Sequence, residues 1–411
     1  MRLLVICPHL EPDTAPTGII MSAILKQFSQ LGNEVHAITS LPWYENHQVA
    51  EEWVGKGFRR LIQTSNEEFG KVTRCYPFPS SKKSLIGRGI GFIGFTVMAA
   101  IPSLFTRKKF DAVIAVSPPL TLGLIGWMAS RRHRCPYIFN IQDVFPDVAI
   151  QVGAVRSPRM IQLLKRLEIF CYKKANAISV LSQDLERNIQ SKIRFDSSKV
   201  VVIPNFVDIE KISPSSRNTA YRAELGLGDR LVVMYAGNLG HSQSLDLLVE
   251  AANRHRDRKD IVYVINGGGV FAEELKEKAR EIPNLVVTGF QPVNRLSEVL
   301  ATGDIHVVLL KQGLGVSSVP SKIYSTFAAG RPVVASVDPE TQVARILSDT
   351  NAGIAVPSES PNEFFDAIEK MTENQRRRTE MGVAGRSWVE KQPTAKMVAE
   401  SYINLFRLIK K

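Results

Sequence analysis

Short apolar runs that do not alternate with polar residues recur along the chain, separated by amphipathic stretches. In the first half these runs predict strands at Leu3–Cys7, Glu34–Thr39, Ala112–Val116, Tyr137–Asn140, Ala177–Leu181 and Val200–Ile203. A helical pattern fills Ile19–Leu31 and ends at Gly32. The rhythm restarts with strands at Leu231–Ala236, Ile261–Asn266, Leu285–Thr288, Ile305–Leu310 and Val333–Ser336, and helices at Leu245–His255 and Ala272–Glu281. Val/Ile-rich runs of this kind suit strands buried on both faces, hence parallel sheets. The pattern predicts an α/β protein with two Rossmann-like, doubly wound domains facing across a cleft. The first would span 1–208 and the second 209–393. An amphipathic helix over 394–411 would pack back on the first.

The length of 411 residues and the 44% hydrophobic content agree with two folded domains and exclude a disordered chain. Cys7, Cys75, Cys135 and Cys171 lack metal-ligand spacing and read as reduced core thiols. The seven histidines do not cluster, and no metal is expected. MRLLVICPHL is too short an apolar run for a secretory leader and reads as a first strand.

Charge changes the picture more. The formal net charge is +12, and Val54–Asn140 carries 14 Lys/Arg against 3 Asp/Glu. Within it, Gly89–Phe105 is a 17-residue uncharged stretch flanked by Lys82, Lys83 and Arg88 on one side and Arg107, Lys108 and Lys109 on the other. Cations bracketing an apolar helix favour an anionic membrane surface, contacted through 82–109; the alternative is a buried core helix with solvated flanks. Its glycines and Pro102 argue against a spanning helix. No interleaved aromatic stacking residues accompany the basic region, so nucleic acid is not expected as a partner.

Five loops hold candidate chemistry. PHLEPDTAPTG follows the first strand, and Gly18 would let an anion approach the backbone amides of a helix start; otherwise Thr17 simply caps that helix. AGNLGHSQ, with Gly237 and Gly240, and Asn266–Gly269 are glycine turns at the ends of two strands of the second half. KQGLGVSSVPSK gathers Ser317, Ser318 and Ser321 before Lys322, whose ammonium would meet a phosphate. Asp143, after a buried strand, could hold a sugar hydroxyl, with Asp147 as a possible second acid.

Taken together, Pro8–Gly18, SPPLTLG at Ser117–Gly123, IQDVFPD at Ile141–Asp147, PNFVD at Pro204–Asp208, AGNLG at Ala236–Gly240, NLVVTGFQP at Asn284–Pro292 and PSKIYSTFAAGRP at Pro320–Pro332 give the chain a likeness along its full length. It resembles the family 4 glycosyltransferases of the two-Rossmann-domain (GT-B) type. The nearest likeness is to those of bacterial capsule, O-antigen and colanic-acid-like polysaccharides, including fucosamine transferases. The resemblance implies retaining transfer from a nucleotide-sugar donor, most often a UDP-sugar. The acceptor would be a glycan, polyprenyl-diphosphate-linked or other, at the inner face of the plasma membrane. The nucleotide-sugar is a substrate, so no cofactor is expected. The diphosphate would lie against Asn238–Gln243 and the Ser317–Lys322 loop, with Gly18 across the cleft and the base near Gly268 and Phe290.

The chain departs from that pattern at several positions. Ser317 and Ser325 stand where many members have a glutamate pair, Asn238 and Gln243 where Arg and Lys are common, and Gln142 where a His often precedes the acid. Lys322, with Lys311, would replace part of the lost charge. A catalytically degenerate scaffold and a nucleotide-sugar 2-epimerase are the alternatives these departures leave open.

Overall fold

Strand β1 (Arg2–Ile6) is apolar at every position after the first and is buried there, which places it in the middle of a sheet. The computed structural model describes residues 1–44, 48–79, 85–193 and 196–410; Lys82 and Lys83 lie outside them. Two compact units result, Met1–Asn205 with Pro393–Lys411, and Phe206–Gln392.

In the first unit the strands are β1, β2 (Glu34–Ser40), β3 (Ile62–Glu67), β4 (Gly70–Cys75), β5 (Ala112–Ser117), β6 (Tyr137–Ile141), β7 (Ala177–Val180) and β8 (Val200–Val202). They are ordered β3-β4-β2-β1-β5-β6-β7-β8. All neighbours run parallel except β3 and β4, an antiparallel edge hairpin. Its strands QTSNE and KVTRC are too polar to show as apolar runs, and the sequence pattern predicts neither. Helix α1 (Pro16–Gln30) begins three residues before the apolar pattern, with Ala15 at its N-cap and no side-chain cap, so Thr17 sits inside the first turn and caps nothing. Helices α2 (Leu85–Phe105), α3 (Leu122–His133), α4 (Asp147–Gln151) and α5 (Pro158–Lys174) follow. Among the described residues no helix is long and apolar enough to cross a membrane.

The helix Ala395–Ile409 belongs to this unit and packs along α1. Tyr402 enters the core there: its hydroxyl accepts from Asn140 Nδ2 at 2.7 Å and lies 3.2 Å from Ser179 Oγ. Burial pushes that phenol up to about 12, so it stays a neutral hydrogen-bonding group.

The second unit repeats the plan with six parallel strands: β9 (Leu231–Ala236), β10 (Ile261–Asn266), β11 (Leu285–Thr288), β12 (Ile305–Leu309), β13 (Val333–Ser336) and β14 (Gly353–Val356). Their order is β11-β10-β9-β12-β13-β14. Alternate residues of β9 serve opposite faces: Val233 and Tyr235 join one core, Val232 and Met234 the other. That is why the run carries no polar alternation. The strand order reverses between β9 and β12, and the loops that leave their carboxyl ends flank this switch point.

Candidate active site

Lys322 is the first residue of the helix Lys322–Ala328, which follows the β12 loop. Its Nζ lies 3.7 Å from the centroid of the Tyr235 ring on β9, so the side chain reaches across the switch point. A Cβ on Gly237 would stand 3.2 Å from that Nζ; with φ at +140° as well, only glycine fits here. Burial of the ammonium pushes its pKa down to about 7. No carboxylate lies within ion-pair distance of Lys322 among the described residues. A cation held by a ring face and no counter-charge is suited to an incoming anion.

The glycine turns make this approach possible mainly by packing on one another. A Cβ on Gly267 would come within 1.8 Å of the Gly237 carbonyl oxygen. The Gly237 amide donates to Asn266, Leu239 to Gly268 and Gln243 to Gly240. Gly240 donates to the Gln243 side chain at 3.1 Å. The Leu239, Gly240 and Gln243 amides therefore serve the two glycine turns themselves and are not offered to an anion. Within the turn, Asn238 and Ser242 keep amides with no protein acceptor among the described residues, and the Asn238 side chain is exposed. The Lys311 amide donates to Ser242, tying the two switch-point loops together.

The serines divide. Ser317 is fully buried, so its hydroxyl belongs to the interior of the loop and is not presented to a ligand. Ser318 and Ser321 are half-buried, and Ser321 makes no capping hydrogen bond. Ser325 donates its hydroxyl to the Lys322 carbonyl, a bond within the helix. The β12 loop is shaped by Asp338, whose carboxylate accepts from the amides of Gly313 at 2.9 Å and Gly315 at 3.2 Å. Asp338 follows strand β13, and an acid just past a strand end was the signal available for it. Tyr235 carried no such signal, because its role exists only once β9 and the Lys322 helix meet. Phe290 is 37% exposed, and its ring lies where a Cβ on Gly268 would come within 2.9 Å of it. That leaves a flat aromatic face beside a bare backbone.

At the carboxyl end of the first unit's sheet, Asp143 is half-buried beyond β6. Its neighbour Gln142 is buried, donating to Asn140 at 2.8 Å and accepting from Asn205 at 3.1 Å. Gln142 thus anchors the backbone that carries Asp143. Asp147 is not a second acid beside it: its carboxylate lies 2.7 Å from Lys192 Nζ, in a structural ion pair. Gly18 is buried in α1, and a Cβ there would come within 3.1–3.3 Å of His9 and Leu10, so helix and loop pack closely at this point. The same loop places His9 Nδ1 2.7 Å from Asp13 Oδ2, with His9 stacked on Trp43. This pair was missed because a single His and a single Asp four apart form no motif. The four cysteines are unpaired, and burial pushes Cys7, Cys75, Cys135 and Cys171 each up to about 12, which makes them poor nucleophiles.

Comparison with known proteins agrees with this architecture. A protein of Escherichia coli K12 named for a glycosyl transferase role in colanic acid biosynthesis, WcaI, is 26% identical over 364 residues, covering 87% of this chain and 88% of that protein. Sucrose-phosphate synthase of Thermosynechococcus elongatus shares the fold, with a TM-score of 0.75 over 100% of this chain and 99% of that one at 14% identity. HepE of Anabaena, solved in complex with UDP, has a TM-score of 0.72 over 99% and 100% at 12% identity. The model of Glycosyltransferase Family 4 matches residues 20–211, and that of Glycosyl transferases group 1 matches 230–374. With a Glycosyltransferase Family 4 match on the first unit and a Glycosyl transferases group 1 match on the second, the chain is a glycosyltransferase.

Proposed function

We propose that the enzyme transfers a sugar, with retention of anomeric configuration, from a UDP-sugar to a lipid-linked glycan acceptor of surface polysaccharide biosynthesis, working at an anionic membrane face. The observation that carries the donor half is Lys322, an unpaired cation at the switch point of the second unit. In transfer, the bond from the anomeric carbon to the diphosphate oxygen breaks and a bond to the acceptor oxygen forms on the same face. The departing phosphate takes the acceptor's proton. The protein's part is to orient both substrates and to stabilise charge on the leaving diphosphate. Lys322 supplies that charge, with Lys311 on the same loop. The Phe290 face beside Gly268 receives the base. HepE, bound to UDP on the same fold, supports the choice of nucleotide, and WcaI supports the pathway class.

Calorimetry with UDP, GDP and ADP tests the donor. Saturable heat with UDP at an affinity well above the other two is expected; preference for another base overturns the UDP assignment. A panel of labelled UDP-sugars, incubated with membranes bearing lipid-linked acceptor, tests the transfer. Release of free UDP without acceptor would point instead to hydrolysis or epimerisation.

Asp143 is assigned to an acceptor hydroxyl. Asp143→Asn should lower turnover roughly 10–100-fold, the worth of a charge-assisted hydrogen bond of about 1.5–3 kcal/mol. UDP affinity should stay within twofold, and a parallel loss of UDP binding would remove Asp143 from this role.

A further inference from the structure

Polar side chains run in an unbroken line through the core of the first unit. Asn140 on β6 and Ser179 on β7 are register partners in adjacent strands, and both are wholly buried. Gln142 stands two residues beyond Asn140, so its side chain leaves the same face of the sheet. The Gln142 amide still donates to the Ser117 carbonyl at 3.0 Å, which keeps β6 regular up to that point. Tyr402, from the helix Ala395–Ile409, meets this face with its ring edge-on to Phe28 of α1 at 6.3 Å.

The links share one direction. Asn205 Nδ2 donates to Gln142 Oε1 at 3.1 Å, and Gln142 Nε2 donates to Asn140 Oδ1 at 2.8 Å. Asn140 Nδ2 then directs its two protons to the Tyr402 hydroxyl at 2.7 Å and to Ser179 Oγ at 3.0 Å. Turning any one of the three amides over would set NH2 against NH2, so they hold or turn together.

Packing does not call for this line. All of its members are buried, and apolar groups of the same shape would fill the space at little cost. What the line reaches is the residue before Asp143. Gln142 is held at both ends of its amide, by Asn140 and by Asn205, so the backbone leaves β6 towards Asp143 along one path. Without the Tyr402 hydroxyl, Asn140 would keep a buried N–H with no acceptor there. Its amide would turn to find one, and the hold on Gln142 would slacken. Small displacements of a group that orients a reacting hydroxyl are enough to slow transfer.

We infer that Tyr402 is a positioning residue for Asp143, acting from the helix Ala395–Ile409 through Asn140 and Gln142. This rests on the assignment of Asp143 to the acceptor hydroxyl.

Tyr402→Phe removes the hydroxyl and keeps the ring. In the transfer assay with labelled UDP-sugar and lipid-linked acceptor, its kcat should fall roughly 3–10-fold, with UDP affinity by calorimetry within about twofold of wild type. Gln142→Met cuts the line at its other end and should show the same split. Phe28→Leu loosens the packing around Tyr402 but leaves the line whole, so it should melt lower at unchanged kcat. Asp143→Asn combined with Tyr402→Phe should be no slower than Asp143→Asn alone, since the hydroxyl acts only through that carboxylate. Wild-type kcat in Tyr402→Phe or in Gln142→Met, or losses that multiply in the double variant, overturns the inference and leaves Asp143 in its role. An equal fall of kcat in Phe28→Leu also overturns it, because packing alone would then be responsible. Full turnover in Asp143→Asn is the separate failure of the acceptor assignment, and the coupling falls with it.

Discussion

Lys322→Ala should lower turnover roughly 10–100-fold, the loss of one charge-assisted contact of about 1.5–3 kcal/mol to the leaving diphosphate. Stability should move the other way in Lys322→Met. The ammonium stands at about 7 in the folded enzyme, against 10.5 for an ordinary lysine. Between those values the unfolded chain binds more protons than the fold, so the wild type gains stability as pH rises from 7 to 10.5. At and below pH 7 the buried charge opposes folding. Lys322→Met, similar in length and uncharged, should melt above wild type at pH 7, with the gap narrowing towards pH 10. UDP affinity of the wild type should fall as pH climbs above 7, because an anion selects the protonated amine. Unchanged kcat in Lys322→Ala would remove the residue from the site, whatever the melting curves show.

Lys192→Met should be the most damaging single change to the first unit. Lys192 Nζ lies 2.7 Å from Asp147 and 2.6 Å from Glu168, and the Glu168 side chain is only 2% exposed. Tyr172 also donates to Glu168, at 3.0 Å. Removing the cation leaves the buried Glu168 carboxylate without a counter-charge, while Asp147 keeps the Asn188 amide; the loss is about 3–5 kcal/mol, or roughly 10 °C in the melting of that unit. Burial already raises the Glu168 carboxyl above its ordinary 4.5. For a group raised in the fold, stability grows as pH falls through its folded value, because the fold holds the proton that the unfolded chain has released. The deficit of Lys192→Met should therefore shrink between pH 7 and pH 5. A deficit that does not change with pH would mean that the uncompensated carboxylate is not its cause.

What could be read in the residues follows from how local each signal is. Strands such as Ala112–Ser117 and Ile261–Asn266, buried throughout, announce themselves by five successive apolar residues before a polar last one. The hairpin β3–β4 does not, since an edge needs only one covered face and QTSNE is largely exposed. Strand β14, GIAV, opens on a glycine and is buried only at its last residue, so its apolar run is weak. In the candidate site, Lys322 stood out because a lysine among serines and glycines before a helix has few structural uses. The Gln243 side chain looked like a lost cation, whereas its carbonyl holds the Gly240 amide. Ser317 looked like a donor, whereas the turn folds over it. Those two are contacts within a loop that residue type alone does not show; a contact made by a segment returning from far away leaves no spacing to read. Asp338, reaching Gly313 and Gly315 from beyond the next strand, is the same case.

Tyr402 has a consequence for biogenesis. Asn140 and Ser179, in the interior of the first sheet, share a partner that lies in the last turns of the chain. A ribosome making this protein releases Phe206–Gln392 before the helix bearing Tyr402. The second unit can complete itself on the nascent chain while α1 and the first sheet wait for the helix that packs on them. The half begun earliest is closed last. A truncation before Ala395 thus strikes the unit formed by Met1–Asn205 and spares Phe206–Gln392.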